Sequence, residues 1–84
     1  MKVLYAEDEI QLSVAVTEIL KMEGFEVKPV YDGAQAIEAL SGDYYDVVVL
    51  DIMMPKKDGI EVLSSMRREG NHTSVLMLTA KATV

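Results

Sequence analysis

Two kinds of apolar pattern take turns along the chain: short solid blocks, and longer stretches with apolar residues three and four apart. Lys2 to Ala6 is a short block that turns acidic at Glu7, as expected of a buried strand running into a loop. From Gln11 to Glu23 the residues Leu12, Ala15, Val16, Ile19 and Leu20 form a helical stripe, and Gly24 is placed to end that helix. Glu26 to Tyr31 predicts a second strand. Pro29 within it favours a sheet edge, where its missing N–H breaks no ladder. Asp32-Gly33 predicts a turn and a helix start. Ala36, Ile37 and Leu40 give that helix a short stripe, closed by Ser41-Gly42. Asp46 to Leu50 contains Val47-Val48-Val49-Leu50, apolar on both faces, which suits a central parallel strand covered by helices on both sides. Asp58 is placed to cap a third helix, with Ile60, Leu63 and Met66 along one side and Gly70 at its end. Ser74 to Leu78 predicts a fourth strand.

Strands alternating with helices imply an α/β domain with a parallel sheet and right-handed crossovers. Pro29 puts the second strand at an edge, and the two most apolar strands belong inside. The strand order 2-1-3-4 meets both demands. In such a doubly wound sheet the chain winds one way from strand one and the other way from strand three. The crevice between the carboxyl ends of those two strands is therefore the expected ligand site.

Composition narrows the choice of chemistry. The chain has 84 residues, enough for one small domain, and half of them are apolar. It has no cysteine, which excludes disulfides and thiolate metal sites. The formal net charge is −6, so this segment is not expected to bind nucleic acid directly. The paired bases Lys56-Lys57 and Arg67-Arg68 fit solvated surface, as does the lone His72. No apolar run is long enough to cross a membrane, and the amino terminus lacks the apolar core of a secretory signal, so a cytoplasmic setting is the default.

At the predicted crevice the candidate chemistry is acidic. Glu7 and Asp8 follow strand one and Asp51 follows strand three. Carboxylates that converge repel one another and raise a pKa. A hard divalent cation such as Mg²⁺ resolves that conflict, with oxygen ligands and room for a phosphate. The competing explanation is that Glu7, Asp8 and Glu9 are ordinary acids at a helix start. Phosphoryl transfer fits the metal option: a carboxylate nucleophile forms an aspartyl phosphate, and the Thr79 hydroxyl at the end of strand four donates to a phosphoryl oxygen.

These residues carry a family resemblance. The acid pair Glu7-Asp8, the string Asp51-Ile52-Met53-Met54-Pro55-Lys56-Lys57-Asp58-Gly59 and the triplet Leu78-Thr79-Ala80, in this order and at strand ends, resemble the receiver domain of bacterial two-component response regulators. The resemblance implies a flavodoxin-like fold and a phosphorylation-dependent switch rather than an enzyme. It implies that Asp51 takes a phosphoryl group from a sensor histidine kinase, that Asp8 binds Mg²⁺ directly, and that Glu7 binds it through a water. It also implies that Met53 offers its backbone carbonyl to the metal and that Thr79 is the switch hydroxyl. Met53 and Lys81 match positions that tune dephosphorylation, and Pro55 and Gly59 match the loop that shapes the site.

Some of the family pattern is altered or lacking. Glu7 stands where Asp is common. The family's fourth helix, fifth strand and fifth helix, with the lysine of a Lys-Pro pair and an aromatic switch residue, have no counterpart before Val84. Residues 1–84 are thus expected to be a receiver truncated after its fourth strand, with an exposed edge prone to self-association or domain swapping. An alternative is a fragment that binds metal without phosphotransfer competence. Two other classes fit less well. An aspartate-nucleophile phosphatase of the haloacid dehalogenase type needs an acid where Met53 stands, and a flavin module needs a Ser/Thr/Gly-rich phosphate loop where Glu7-Asp8-Glu9 stands.

Overall fold

Strands of five residues are too short to stand alone, and here four of them pair into one sheet. The computed structural model describes residues 1–78. The strands are β1 (Lys2–Ala6), β2 (Glu26–Val30), β3 (Val47–Asp51) and β4 (Ser74–Leu78), and the helices α1 (Ile10–Met22), α2 (Gly33–Gly42) and α3 (Gly59–Arg68) alternate with them. All pairings are parallel and the order is β2-β1-β3-β4, as the sequence predicts. β2 is at the edge. Glu26 N–H donates to Met1 O (3.0 Å) and Val30 O accepts from Glu7 N–H (3.0 Å), so even-numbered residues of β2 turn toward β1. Strand alternation then points the nitrogen of Pro29 away from the ladder, where nothing is lost.

One face of the sheet is closed. Leu4, Ala6, Val48 and Leu50 are fully buried there against Ala36 of α2 and Val62 and Met66 of α3. On α3 the sequence placed Ile60 with Leu63 and Met66, and the structure corrects this: Ile60 is exposed while Val62 faces the core. Gly59 sets the rotation. A Cβ there would lie 2.6 Å from the Asp51 carbonyl oxygen, so that side of the helix must face the sheet, and positions 62, 63 and 66 follow it inward. Asp58 caps α3 as predicted, with its side chain accepting from Glu61 N–H and Glu61 returning the bond in a capping box.

The other face is covered only in part. α1 packs over β2 and β1. Its predicted stripe is also corrected: Ser13 and Thr17 are its buried residues, Val16 and Leu20 are half-buried, and Leu12, Ala15 and Ile19 are exposed. The periodicity identifies the apolar side of a helix but not which strands lie beneath it. Leu76 and Leu78 of β4 remain exposed on the side that α1 does not reach. Gly24 and Gly70 follow the C-caps of α1 and α3 with φ of +94° and +79°, the left-handed geometry that suits glycine. Among the described residues no helix is long and apolar enough to cross a membrane.

Candidate functional site

The doubly wound order brings two sequence-distant strand ends side by side. Ala6 of β1 pairs with Leu50 of β3, which sets Glu7 and Asp51 next to each other at the carboxyl edge. Glu7 is held by its own N–H to Val30 O. Asp51, predicted to follow strand three, is instead its last residue and pairs with Leu78 of β4. The ladder continues one step further through Ile52 N–H to Leu78 O, 2.8 Å, so the Asp51 backbone is fixed on both sides. Glu7 and Asp51 are buried, at 5% and 7% exposure, while Asp8 is exposed. One carboxylate oxygen from each of the three lies within 4.8 Å of the others.

Burial and the neighbouring acids oppose the ionisation of Glu7. Burial, aided by the Asp51 carboxylate and by Asp8, pushes Glu7 up to about 7 from 4.5, against the single N–H that Glu9 donates to it (3.2 Å). Tyr5, two residues earlier on the same face of β1, is pushed up to about 12 by burial and by the acids Glu7, Asp51 and Glu9. Among the described residues the ion pairs are Lys2–Asp43 and Lys56–Asp32, and neither reaches the three acids. Buried oxygen donors, excess negative charge and one solvent-facing carboxylate together fit a hard divalent cation such as Mg²⁺.

The helix-start explanation accounts for little of this. Glu9 is the N-cap of α1, yet its side chain makes no capping bond. Elsewhere the chain does cap helices with acids: Asp32 accepts from Gln35 N–H at 2.7 Å, and Asp58 from Glu61 N–H at 2.8 Å. Apart from the Glu9 N–H, the acids after β1 are left for another use.

The acids open into a cavity of about 830 Å³ that Tyr5, Leu12, Val16, Met53 and Leu78 also line. Tyr5 was not singled out from the sequence. Its place two residues before Glu7, hence on the same side of a strand, was the available signal. Met53 donates its N–H to Asp51 Oδ1 (3.2 Å), and its side chain is exposed. After it, Lys57 N–H donates to Pro55 O (2.8 Å) across Lys56, whose φ is +70°. Gly33 at the start of α2 also donates to Pro55 O, at 3.4 Å. Thr79 and Lys81 lie outside the described residues. His72 is exposed, and Arg67 is engaged by the carbonyls of Asn71 and Thr73, so neither contributes to the acidic site.

Comparison with known proteins agrees with this geometry. The profile of the response regulator receiver domain matches residues 3–84. The transcriptional regulatory protein CpxR of Escherichia coli strain K12 is 44% identical over 80 residues, which is 95% of this chain and 34% of CpxR. TcrA of Mycobacterium tuberculosis is 43% identical over 84 residues, all of this chain and 33% of TcrA. The chain thus spans about a third of the length of these relatives. Among solved structures, the receiver domain of the Francisella response regulator 1452 superposes with a TM-score of 0.93 at 31% identity, covering 99% of this chain and 69% of that one. TrrA of Thermotoga maritima, solved in complex with Mg²⁺–BeF, superposes with a TM-score of 0.90 at 31% identity, covering 96% of this chain and 70% of that one.

Proposed function

The chain belongs to the response regulator receiver domain family, the signalling modules of two-component systems, and on that premise we propose that Asp51 accepts a phosphoryl group from the phosphohistidine of a sensor histidine kinase in a Mg²⁺-dependent reaction. The observation that carries this is the convergence of Glu7, Asp8 and Asp51 at the switch point of the sheet. An Asp51 carboxylate oxygen attacks phosphorus, the O–P bond forms as the P–N bond breaks, and the electron pair of that bond stays on the departing imidazole. Asp51 has a fixed backbone, and the Met53 N–H on Oδ1 orients its carboxylate and leaves Oδ2 for attack. Asp8 and Asp51 would hold the cation directly, Glu7 would hold it through a water, and Met53 would offer its backbone carbonyl. When bound, Mg²⁺ supplies neutralisation of charge between the carboxylate and the phosphoryl oxygens. The structure of TrrA in complex with Mg²⁺–BeF supports that assignment. Thr79, directly after β4, donates its hydroxyl to the phosphoryl group.

The domain acts as a switch in the cytoplasm, and its phosphorylation state controls an output that lies outside these 84 residues. The naming of its relatives as transcriptional regulators supports control of gene expression. The test is phosphotransfer. A kinase carrying labelled phosphohistidine, mixed with the chain and Mg²⁺, passes label to it and not to Asp51→Asn. Mg²⁺ binding without any transfer of label would instead support a fragment that holds metal but lacks phosphotransfer competence.

A further inference from the structure

The loop that carries Met53 is not rigid by its own chemistry. Pro55, Lys56 and Lys57 form a γ-turn closed by Lys57 N–H to Pro55 O, with Lys56 at φ +70°. That conformation is rare and strained for a residue with a Cβ, so something outside the loop must hold it. Among the described residues, the N-terminus of α2 is in place to do so. Gly33 donates its N–H to the same Pro55 oxygen. Asp32, buried at 8% exposure and already capping α2, lies 3.9 Å from Lys56 Nζ. The contact is close enough that a Cβ on Gly33 would sit 1.9 Å from Lys57 O and 2.4 Å from Lys57 Cβ. The obstructing oxygen is backbone, so a side chain at position 33 moves the loop or the helix.

We infer that Gly33 is a positioning residue for the phosphoacceptor loop: its bare Cα lets α2 seat against Pro55–Lys57 and so fixes the segment that offers Met53 to the metal. This rests on the function proposed above. Met53 is two residues before Pro55, and Gly59 at the far end of the loop is anchored by its N–H to Ile52 O (2.9 Å) and by its approach to Asp51 O. A loop pinned at Ile52, Gly59 and Pro55 holds the Met53 carbonyl at one height above Asp51. Releasing the Pro55 pin frees that carbonyl without touching any acid.

The experiment compares Gly33→Ala with Gly42→Ala, at the other end of the same helix, where an added Cβ meets nothing within 4 Å. Mg²⁺ alone is the probe, followed by backbone amide NMR. Gly33→Ala is expected to stay folded and to lose at least about tenfold in Mg²⁺ affinity, the usual cost of disturbing a group that orients a ligand. Its Met53 and Met54 amides should be shifted before any Mg²⁺ is added, and Gly42→Ala should titrate like the parent chain. A folded Gly33→Ala that binds Mg²⁺ as the parent does overturns the inference. If Gly33→Ala fails to fold, the parent chain decides. Saturation with Mg²⁺ should move the Gly33 amide, and an unmoved Gly33 amide overturns the inference. A parent chain that binds no Mg²⁺ overturns the functional proposal as well, whereas a parent that binds with Gly33 uncoupled leaves that proposal standing.

Discussion

Acids crowd both ends of the sheet, but among the described residues a lysine meets them at the amino end and none meets Glu7, Asp8 or Asp51 at the carboxyl end. There Lys2 pairs with Asp43, its backbone N–H donates to Asp46 Oδ2 at 2.6 Å, and its ammonium sits 5.1 Å from the centre of the Tyr45 ring. The Asp43 carboxyl is drawn below its ordinary value by Lys2 and by Tyr44 N–H, and Lys2 is raised in turn. At the carboxyl end, Glu7, Asp8 and Asp51 converge with no cation among the described residues, and Glu7 is driven up to about 7. Exposed, compensated charge contributes little to stability and does nothing else. Buried charge that no neighbouring cation offsets is unfavourable without a ligand, and the proposed function rests on that difference.

Substitutions at the two ends should therefore behave in opposite ways. The largest effect belongs to Asp51→Asn, which should abolish transfer of label from a phosphohistidine kinase while leaving the fold intact by circular dichroism. Next, Asp8→Asn should weaken Mg²⁺ by at least about tenfold in a calorimetric titration, since a charged donor is lost. Glu7 gives a test with a sign. Its carboxyl holds a proton up to about 7 in the folded chain but only to 4.5 in its ordinary state, so between those values the folded chain binds more protons. Stability in metal-free buffer should thus be greatest below 4.5 with respect to this group and should fall as pH rises through about 7. Glu7→Gln should then stabilise the metal-free chain by roughly 1–3 kcal/mol at pH 8 and by almost nothing at pH 4, measured by urea unfolding. In the parent chain, Mg²⁺ affinity should drop as pH falls below about 7, because the cation competes with that proton. The smallest effect is at the other end: Asp43→Asn should shift the melting temperature little and leave Mg²⁺ affinity unchanged, because a surface ion pair is worth little.

How far the sequence discloses all this differs by element. Val47 to Leu50, apolar on both faces, fits the interior of a parallel sheet and Pro29 fits an edge, and the observed strand order satisfies both. Asp58 with Glu61 announces its own capping box, since that motif is local. The helix faces are less legible. Ile60 and Leu12 belong to good apolar stripes, yet both are exposed, because a stripe does not say which strands lie under it or how a close glycine contact turns the helix. Ser13 and Thr17, the residues α1 buries, are polar and look like surface in sequence. At the site the acids were legible as strand-end residues. Tyr5 and Gly33 were not. One lies on a face of a strand, and the other meets a loop more than twenty residues later. Thr79 remains an expectation from the resemblance.

The most direct test of the central claim, that the uncompensated carboxyl end is a metal-dependent phosphoacceptor, is mass spectrometry of the chain after incubation with acetyl phosphate. One phosphoryl group per chain is expected, located at Asp51, formed with Mg²⁺ and not in the presence of a chelator. A chain that stays unmodified with Mg²⁺, or an adduct that persists in Asp51→Asn, would contradict it.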